Sequence, residues 1–426
     1  MDTNVVNVTS LMGHLQFGDV AHVRGRRNFL TRTVLLDSED YGAGVAMWPE
    51  RFIEDPLVRM AAALVAPSST RVAVAPPSTA AVIDRCSQLA QGTPDGEAAI
   101  AGRGGVPIHV VLSSESSLWA PIESRWIAEF PDETNAALGT VSDEEYAALA
   151  AAVDELWSRA PVLARAVLLH VHAIAVFDSP RTVGSCTAFS LPGVVLINRV
   201  VLRDPLKLAD LLYHEAVHCK YYDIMTVAAL LKEGASRRYV APPWHADKAA
   251  EKDRLWVVER ALGAFHVYVH YAALDSMTDL GSERWRGSAR ERAQALAELL
   301  ATETAFFTRE GSEFLAWGLA VLGLEPGHEA TGESAKGLRQ TAAADGRPTA
   351  VRSARDVRLY GLEPLGYFLV RRDRSAALQR LDAASWAMLT RIRWEEQHEP
   401  GAAVAVPAGH ARAIRALTNA GYLEAV

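Results

Sequence analysis

The chain has 426 residues, half of them hydrophobic, and a formal net charge of −8. That length gives room for two or three globular domains, and the acidic balance argues against a general nucleic-acid binder. The three cysteines, Cys86, Cys186 and Cys219, are odd in number and widely spaced, which suggests reduced thiols and a cytoplasmic protein. The polar opening at 1–10 lacks a secretory pattern, and no run approaches the ~18 apolar residues that a membrane helix needs.

Residues 1–135 read as a mixed α/β region. Segment 24–36 (RGRRNFLTRTVLL) starts basic and ends apolar, as a surface segment leading into core. Helices are expected at 56–66 and 79–90, with short strands at 71–75 and 106–112. The glycines of 102–105 (GRGG) fit neither a dinucleotide nor a P-loop fingerprint and read as a loop.

The catalytic domain is expected at 136–325. Helix 142–169 is broken at Pro161, and Ser142 with Glu145 three residues later forms a capping box. Segment 167–177 is apolar and β-branched, and 187–198 reads as two short strands around a Leu-Pro-Gly turn. Asp204 as N-cap and Pro205 at the first helical position then open a helix whose apolar face carries Leu208, Leu211, Leu212 and Cys219.

That helix contains LLYHEAVHCKYY, residues 211–222. His214 and His218 are four apart, so a helix stacks them one turn apart on one face, where two imidazoles can share a metal ion. Glu215 between them can hydrogen-bond a metal-bound water or a neighbouring ligand. The bland alternative is an amphipathic helix whose polar face happens to carry two histidines. A metal needs a third protein ligand, and the helix expected at 256–274 carries His266 and His270, again four apart. His266 is the first choice, with Glu259, Glu251 and Glu233 as carboxylate alternatives; His270 reads as a core or supporting histidine. Three neutral imidazoles would suit zinc or iron(II).

Four features occur together: HEAVH, the pair Pro243-Trp244, the Gly-x-x-His of Gly263 to His266, and Phe307-Thr308-Arg309-Glu310-Gly311 before an apolar stretch. In this combination the segment 165–325 resembles the HExxH-type 2-oxoglutarate-dependent peptide β-hydroxylases of ribosomal peptide modification. The resemblance implies iron(II) and 2-oxoglutarate, with a precursor peptide as the partner that becomes hydroxylated. Carried over by position, it implies His214, His218 and His266 as iron ligands and Glu215 as a site carboxylate. A 2-oxoglutarate enzyme needs a cation for the distal carboxylate, and Arg254 and Arg260 are the nearest candidates.

Downstream, 326–355 reads as a linker. Residues 356–426 read as a small winged-helix-like module, with strand-like sequence at 357–370 and helices at 376–391 and 408–420. Similar modules grip leader peptides in peptide-modification enzymes; a C-terminal cap on the main domain is the other reading. The expected fold is α+β, mostly helical, with a zincin-like HExxH helix beside a small antiparallel sheet. Three functions compete: the iron hydroxylase, a zinc metallopeptidase with Glu215 as general base, and an inactive scaffold that binds peptide.

Overall fold

A computed structural model describes residues 6–36, 41, 43–62, 76–101, 106–130, 137–179, 184–232, 234–245, 255–278, 280 and 288–324. Beyond these it describes 350–353, 357–362, 366–371, 379–381, 404–405 and 423–425. The chain divides into two compact units, 1–325 and 326–426. The protein is mostly helical with a small mixed sheet, and no described helix is long and apolar enough to cross a membrane.

In the first unit, strands β1 (Glu97–Ile100), β2 (Ile108–Val111), β3 (Ala137–Leu138), β4 (Ala173–Asp178), β5 (Ser185–Cys186) and β6 (Val194–Asn198) form one sheet. Its order is β1-β2-β4-β6-β5, and β3 also pairs with β4. The centre is parallel: Ile174 lies opposite Val110 on one side and Val195 on the other. Only β1, β3 and β5 run antiparallel to their neighbours, which corrects the expectation of an antiparallel sheet. The reason is visible in sequence. Both β4 (AIAVFD) and β6 (VVLIN) are nearly unbroken apolar runs, the pattern of strands covered on both faces. Strands β1 and β2 come from the region expected to stand apart at 1–135, and they join the same sheet.

Helices α1 (Val8–Gly13), α2 (Val20–Leu36), α3 (Glu50–Glu54), α4 (Pro56–Ala62), α5 (Thr79–Gln91) and α6 (Trp119–Glu129) come from the N-terminal part. Next come α7 (Asp143–Arg159) and α8 (Pro161–Leu168), broken at the predicted proline, with the capping box of Ser142 and Glu145 formed in full. The long helix α9 (Pro205–Val227) follows β6. It starts where expected, since the Asp204 side chain accepts from the Lys207 N–H at 3.1 Å and Pro205 fills the first position, where no N–H is needed. Helices α10 (Val258–Met277), α11 (Ala289–Ala301) and α12 (Arg309–Val321) complete the unit. Helix α9 packs against α2, α7, α8 and α10.

Two small residues of the recognised pattern have packing reasons. A Cβ at Gly263 would meet the Tyr221 ring at 3.0 Å, so glycine lets α10 lie close on α9. A Cβ at Gly311 would meet the Leu230 carbonyl oxygen at 1.9 Å, while Thr308 caps α12 by accepting from the Gly311 N–H at 3.0 Å.

The segment read as a surface stretch at 24–36 is instead helix α2, and its Arg26, Arg27 and Asn28 are buried. Partners make this tolerable, because a buried charge is costly unless it is paired and hydrogen-bonded. Arg27 donates to Asp223 at 2.5 Å and to Glu54 at 3.1 Å.

In the second unit, β9 (Ala350–Ser353) pairs with β13 (Val404–Ala405) and β14 (Leu423–Ala425). Strands β10 (Val357–Leu362), β11 (Gly366–Arg371) and β12 (Gln379–Leu381) form an antiparallel meander. The stretch expected to be linker thus contains a paired strand, and within the strand-like stretch Val357–Leu362 pairs antiparallel with Gly366–Arg371. The helix expected at 376–391 is overturned at Gln379–Leu381, which pairs with β11 as strand β12, and its other residues lie outside the described ones, as do the helix expected at 408–420 and the strand expected at 71–75.

Candidate metal site

Helix α9 presents one half-exposed face, made by Leu211, His214, His218 and Tyr222, and is otherwise largely buried. The 3.6-residue period puts these positions in line. On that face His214 Nε2 and His218 Nε2 lie 3.3 Å apart. Two nitrogens bound to one tetrahedral ion at ~2.0–2.1 Å are separated by about 3.3–3.4 Å, so the pair already has the bite of a shared ion. Burial, then His214 and then Arg260, press the His218 imidazole down to about 3. It is therefore neutral at pH 7, the form that ligates a metal.

Glu215 points to the sheet. Its carboxylate accepts from the Ser185 hydroxyl at 2.7 Å, and Ser185 sits on β5, the last strand of the described sheet on that side. Burial pushes the Glu215 carboxyl up to about 8, against a smaller opposing effect of the Ser185 hydrogen bond. A nearby cation would reverse this, since an opposite charge favours the carboxylate.

The structure does not bring His266 to this pair. Its ring lies among Tyr221, Phe314, Trp317 and His270, at centroid separations of 5.7, 5.5, 5.9 and 4.6 Å. It is fully buried, and both ring nitrogens are without a hydrogen-bond partner. The reason is the register of two antiparallel helices. Tyr271 is the α10 residue that faces His214, with ring centroids 5.9 Å apart, while Tyr221 stands against His266. Among the described residues no three His, Cys, Asp or Glu side chains form a group that could hold an ion.

Glu259, in the first turn of α10, is half-buried. Burial alone raises its carboxyl to about 7, and its charge is felt by both Tyr221 and Tyr222. Its backbone carbonyl accepts from the Tyr221 hydroxyl at 3.3 Å, which anchors that first turn to α9. Arg260 is exposed, and its guanidinium stacks 4.6 Å above the Trp256 ring. Arg254, Glu251 and Glu233 lie outside the described residues. Trp244 of the Pro-Trp pair packs edge-on against Trp256 and Tyr268, with the Arg292 guanidinium 5.2 Å from its ring. It serves to hold the approach to α10.

Behind the site lies a buried ionic cluster that sequence reading missed. Asp223, on the same helix as the histidines, pairs with Arg27, Arg59 and His170 Nδ1, the last at 2.7 Å. Burial opposes its ionisation, yet Arg27, Arg59 and His170 together hold it well below the usual carboxylate range. The available signal was Arg59 itself, a lone charge inside the apolar helix PLVRMAA. Such a residue almost never buries without a partner. No family model matches this chain, and no curated protein matches it.

Proposed function

We propose that the chain is a metal-dependent enzyme that hydroxylates a residue of a ribosomally made precursor peptide at its β-carbon, using iron(II) and 2-oxoglutarate. The observation that carries the metal centre is the 3.3 Å between His214 Nε2 and His218 Nε2 on the half-exposed face of α9. The peptide and the oxidative chemistry are supported by the resemblance of HEAVH, Pro243-Trp244 and the Gly263 to His266 helix to the peptide β-hydroxylases.

His214 and His218 would hold the ion. The third donor is then one of the two carboxylate alternatives that lie outside the described residues, Glu233 or Glu251, since no described His, Cys, Asp or Glu completes a group with this pair. Two histidines and one carboxylate are the donor set of non-haem iron(II) oxygenases. When bound, iron with 2-oxoglutarate and oxygen supplies the oxidising power to break an unactivated C–H bond.

The chain's own residues do the positioning. Strand β5 ends the described sheet, so its outer edge carries backbone N–H and C=O groups that can take a peptide by strand addition. An antiparallel edge strand beside an HExxH helix is a zincin-like arrangement. Ser185 on that strand fixes the Glu215 carboxyl on the strand side of α9. The C-terminal module would hold the leader part of the peptide, in the way winged-helix modules do.

The test is anaerobic reconstitution. Iron(II) plus 2-oxoglutarate should give a weak visible charge-transfer band, and a peptide substrate should gain one oxygen in mass. Absence of both sinks the reading.

One observation favours hydrolysis as a second reading. The same nitrogen separation fits tetrahedral zinc, and the charge of that ion would keep the neighbouring Glu215 ionised as a general base. Zinc content together with peptide cleavage that Glu215→Gln abolishes would decide for it.

A further inference from the structure

We infer that Lys220, His266 and His270 hold a small inorganic anion of chloride size in the interior where α9, α10 and α12 meet. Lys220 lies on α9, off its half-exposed histidine face. Its side chain is fully buried, and nothing hydrogen-bonds its Nζ. The same is true of both ring nitrogens of His266 and of His270 Nε2 on α10.

These atoms are neighbours. Lys220 Nζ lies 5.9 Å from the centre of the Trp317 ring, which stands 5.9 Å from the His266 ring, and His266 is 4.6 Å from His270. After burial, the Lys220 charge is the largest influence that lowers both imidazoles. A lysine almost never buries without a partner, and each unpaired buried donor costs about 1–3 kcal/mol. A native fold keeps few such groups unless a water or an ion meets them.

Charge decides between the candidates. An ammonium has three donors and no lone pair, so it repels a cation. Among the described residues, moreover, no three His, Cys, Asp or Glu side chains group to hold a metal. The carboxylates that could balance Lys220 are committed elsewhere. Asp223 is held by Arg27, Arg59 and His170. Asp19 acts on Lys220 from beyond hydrogen-bonding reach and accepts the His22 N–H at 2.9 Å. A buried charge needs a partner, and an anion supplies it.

The donors set the size. His266 has two free nitrogens, so one N–H is available to face inward. His270 carries its proton on Nε2 in the tautomer whose Nδ1 accepts from the Tyr213 hydroxyl, 3.4 Å away. His170 is different, because its Nδ1–H goes to Asp223 at 2.7 Å and leaves an acceptor at Nε2. The polar tips of the aromatic wall are also spent: Trp317 Nε1 donates to the Ser10 carbonyl and the Tyr221 hydroxyl to that of Glu259. One ammonium and two imidazole N–H groups suit a single-atom anion, whereas a phosphate would bury oxygens with no donor to meet them. Such an anion ties α9 to α10 at the register that keeps His266 from the exposed pair.

The test is the chloride dependence of stability in metal-free protein held in chelator. Urea midpoints are read at constant pH and ionic strength, with chloride exchanged for gluconate, which is too large for the interior. Raising chloride from about 50 to about 500 mM should multiply the folded-to-unfolded ratio about fivefold or more, for a Kd of about 50 mM or tighter. Lys220→Met keeps the length of the side chain and removes the ammonium. It should respond less than about twofold and be at least as stable as the native chain in gluconate. Crystals of the full chain soaked in bromide should show an anomalous peak within hydrogen-bonding distance of Lys220 Nζ. A native response under about twofold, a full response in Lys220→Met, or bromide on the surface alone overturns the site. Should Lys220→Met fail to fold, the bromide position decides. Because no metal is present, neither result depends on what His214 and His218 bind.

Discussion

Two histidine pairs with identical spacing sit on adjacent helices and have opposite surroundings. His214 and His218 on α9 have ring centroids 4.9 Å apart at 72°, and His266 and His270 on α10 are 4.6 Å apart at 69°. The internal geometry of the pairs is therefore the same, as helix periodicity requires. What differs is the outside. The α9 pair is half-exposed beside a strand edge, with two Nε2 atoms turned toward one another. The α10 pair is fully buried; Tyr221, Phe314 and Trp317 surround His266, and the Tyr213 hydroxyl lies 3.4 Å from His270 Nδ1. Spacing puts two imidazoles on one face of a helix; the face they occupy decides whether an ion can reach them.

The largest expected effect comes from breaking the exposed pair. His218→Ala, and equally His214→Ala, should leave the fold intact, remove the bound metal and lower activity about a thousandfold or more, about 4 kcal/mol of barrier. Metal content by mass spectrometry and turnover of the peptide measure both. Retention of stoichiometric metal by either variant would mean that the exposed pair is not the ligand set.

The buried pair should appear instead in the pH dependence of stability. Burial, with Lys220 next in importance, holds both His266 and His270 well below their usual value, so they are neutral in the fold. In the unfolded chain both take up protons as pH falls below ~6.5, and the state that binds more protons gains. The penalty is therefore absent above about pH 6.5 and grows as pH falls toward the folded values. It amounts to about 1.4 kcal/mol per pH unit for each ring, or about 3 for the two. In urea unfolding of metal-free protein between pH 7 and 5.5, a His266→Leu/His270→Leu double variant should lose that share of the slope. An unchanged slope would show that the two rings are not held neutral.

His266→Leu alone sharpens the question of the third ligand. It replaces a ring with two unpaired buried nitrogens by an apolar side chain. Such a replacement is close to neutral or stabilising, within about 1–2 kcal/mol. Metal content should be unchanged if Glu233 or Glu251 is the third donor, whereas Glu→Gln at the ligating one of these two positions should lower it. The reverse outcome would return the role to His266.

The comparison also shows what the sequence could carry. Local chemistry was legible: the capping box at Ser142, the break at Pro161, the start of α9 at Asp204-Pro205 and the strand-like character of 357–370 all follow from residues within a few positions of one another. Relations between distant segments were not legible. Nothing local says that α2 turns inward, because its burial depends on Asp223, 196 positions away from Arg27. The separation of His266 from the α9 pair likewise depends on the register of α10 against α9, which is set by contacts such as Gly263 on Tyr221. The parallel centre of the sheet was written into the apolar runs of β4 and β6, but the Leu-Pro-Gly turn suggested two short strands joined to each other instead.

The smallest effect concerns what holds the exposed pair in place rather than the pair itself. Asp204 caps α9 ten residues before His214, almost three turns away. Replacing an N-cap Asp by Ala costs about 1 kcal/mol, because one backbone N–H of the first turn loses its acceptor. Helix α9 continues for four turns that are packed on α2, α7, α8 and α10, so the loss should stay at the fraying end. Asp204→Ala should lower the urea midpoint in proportion to that ~1 kcal/mol, with metal content and turnover unchanged. A parallel loss of metal would mean that the histidine face is not held by packing along the helix, and the rigid-face account of the α9 pair would fail.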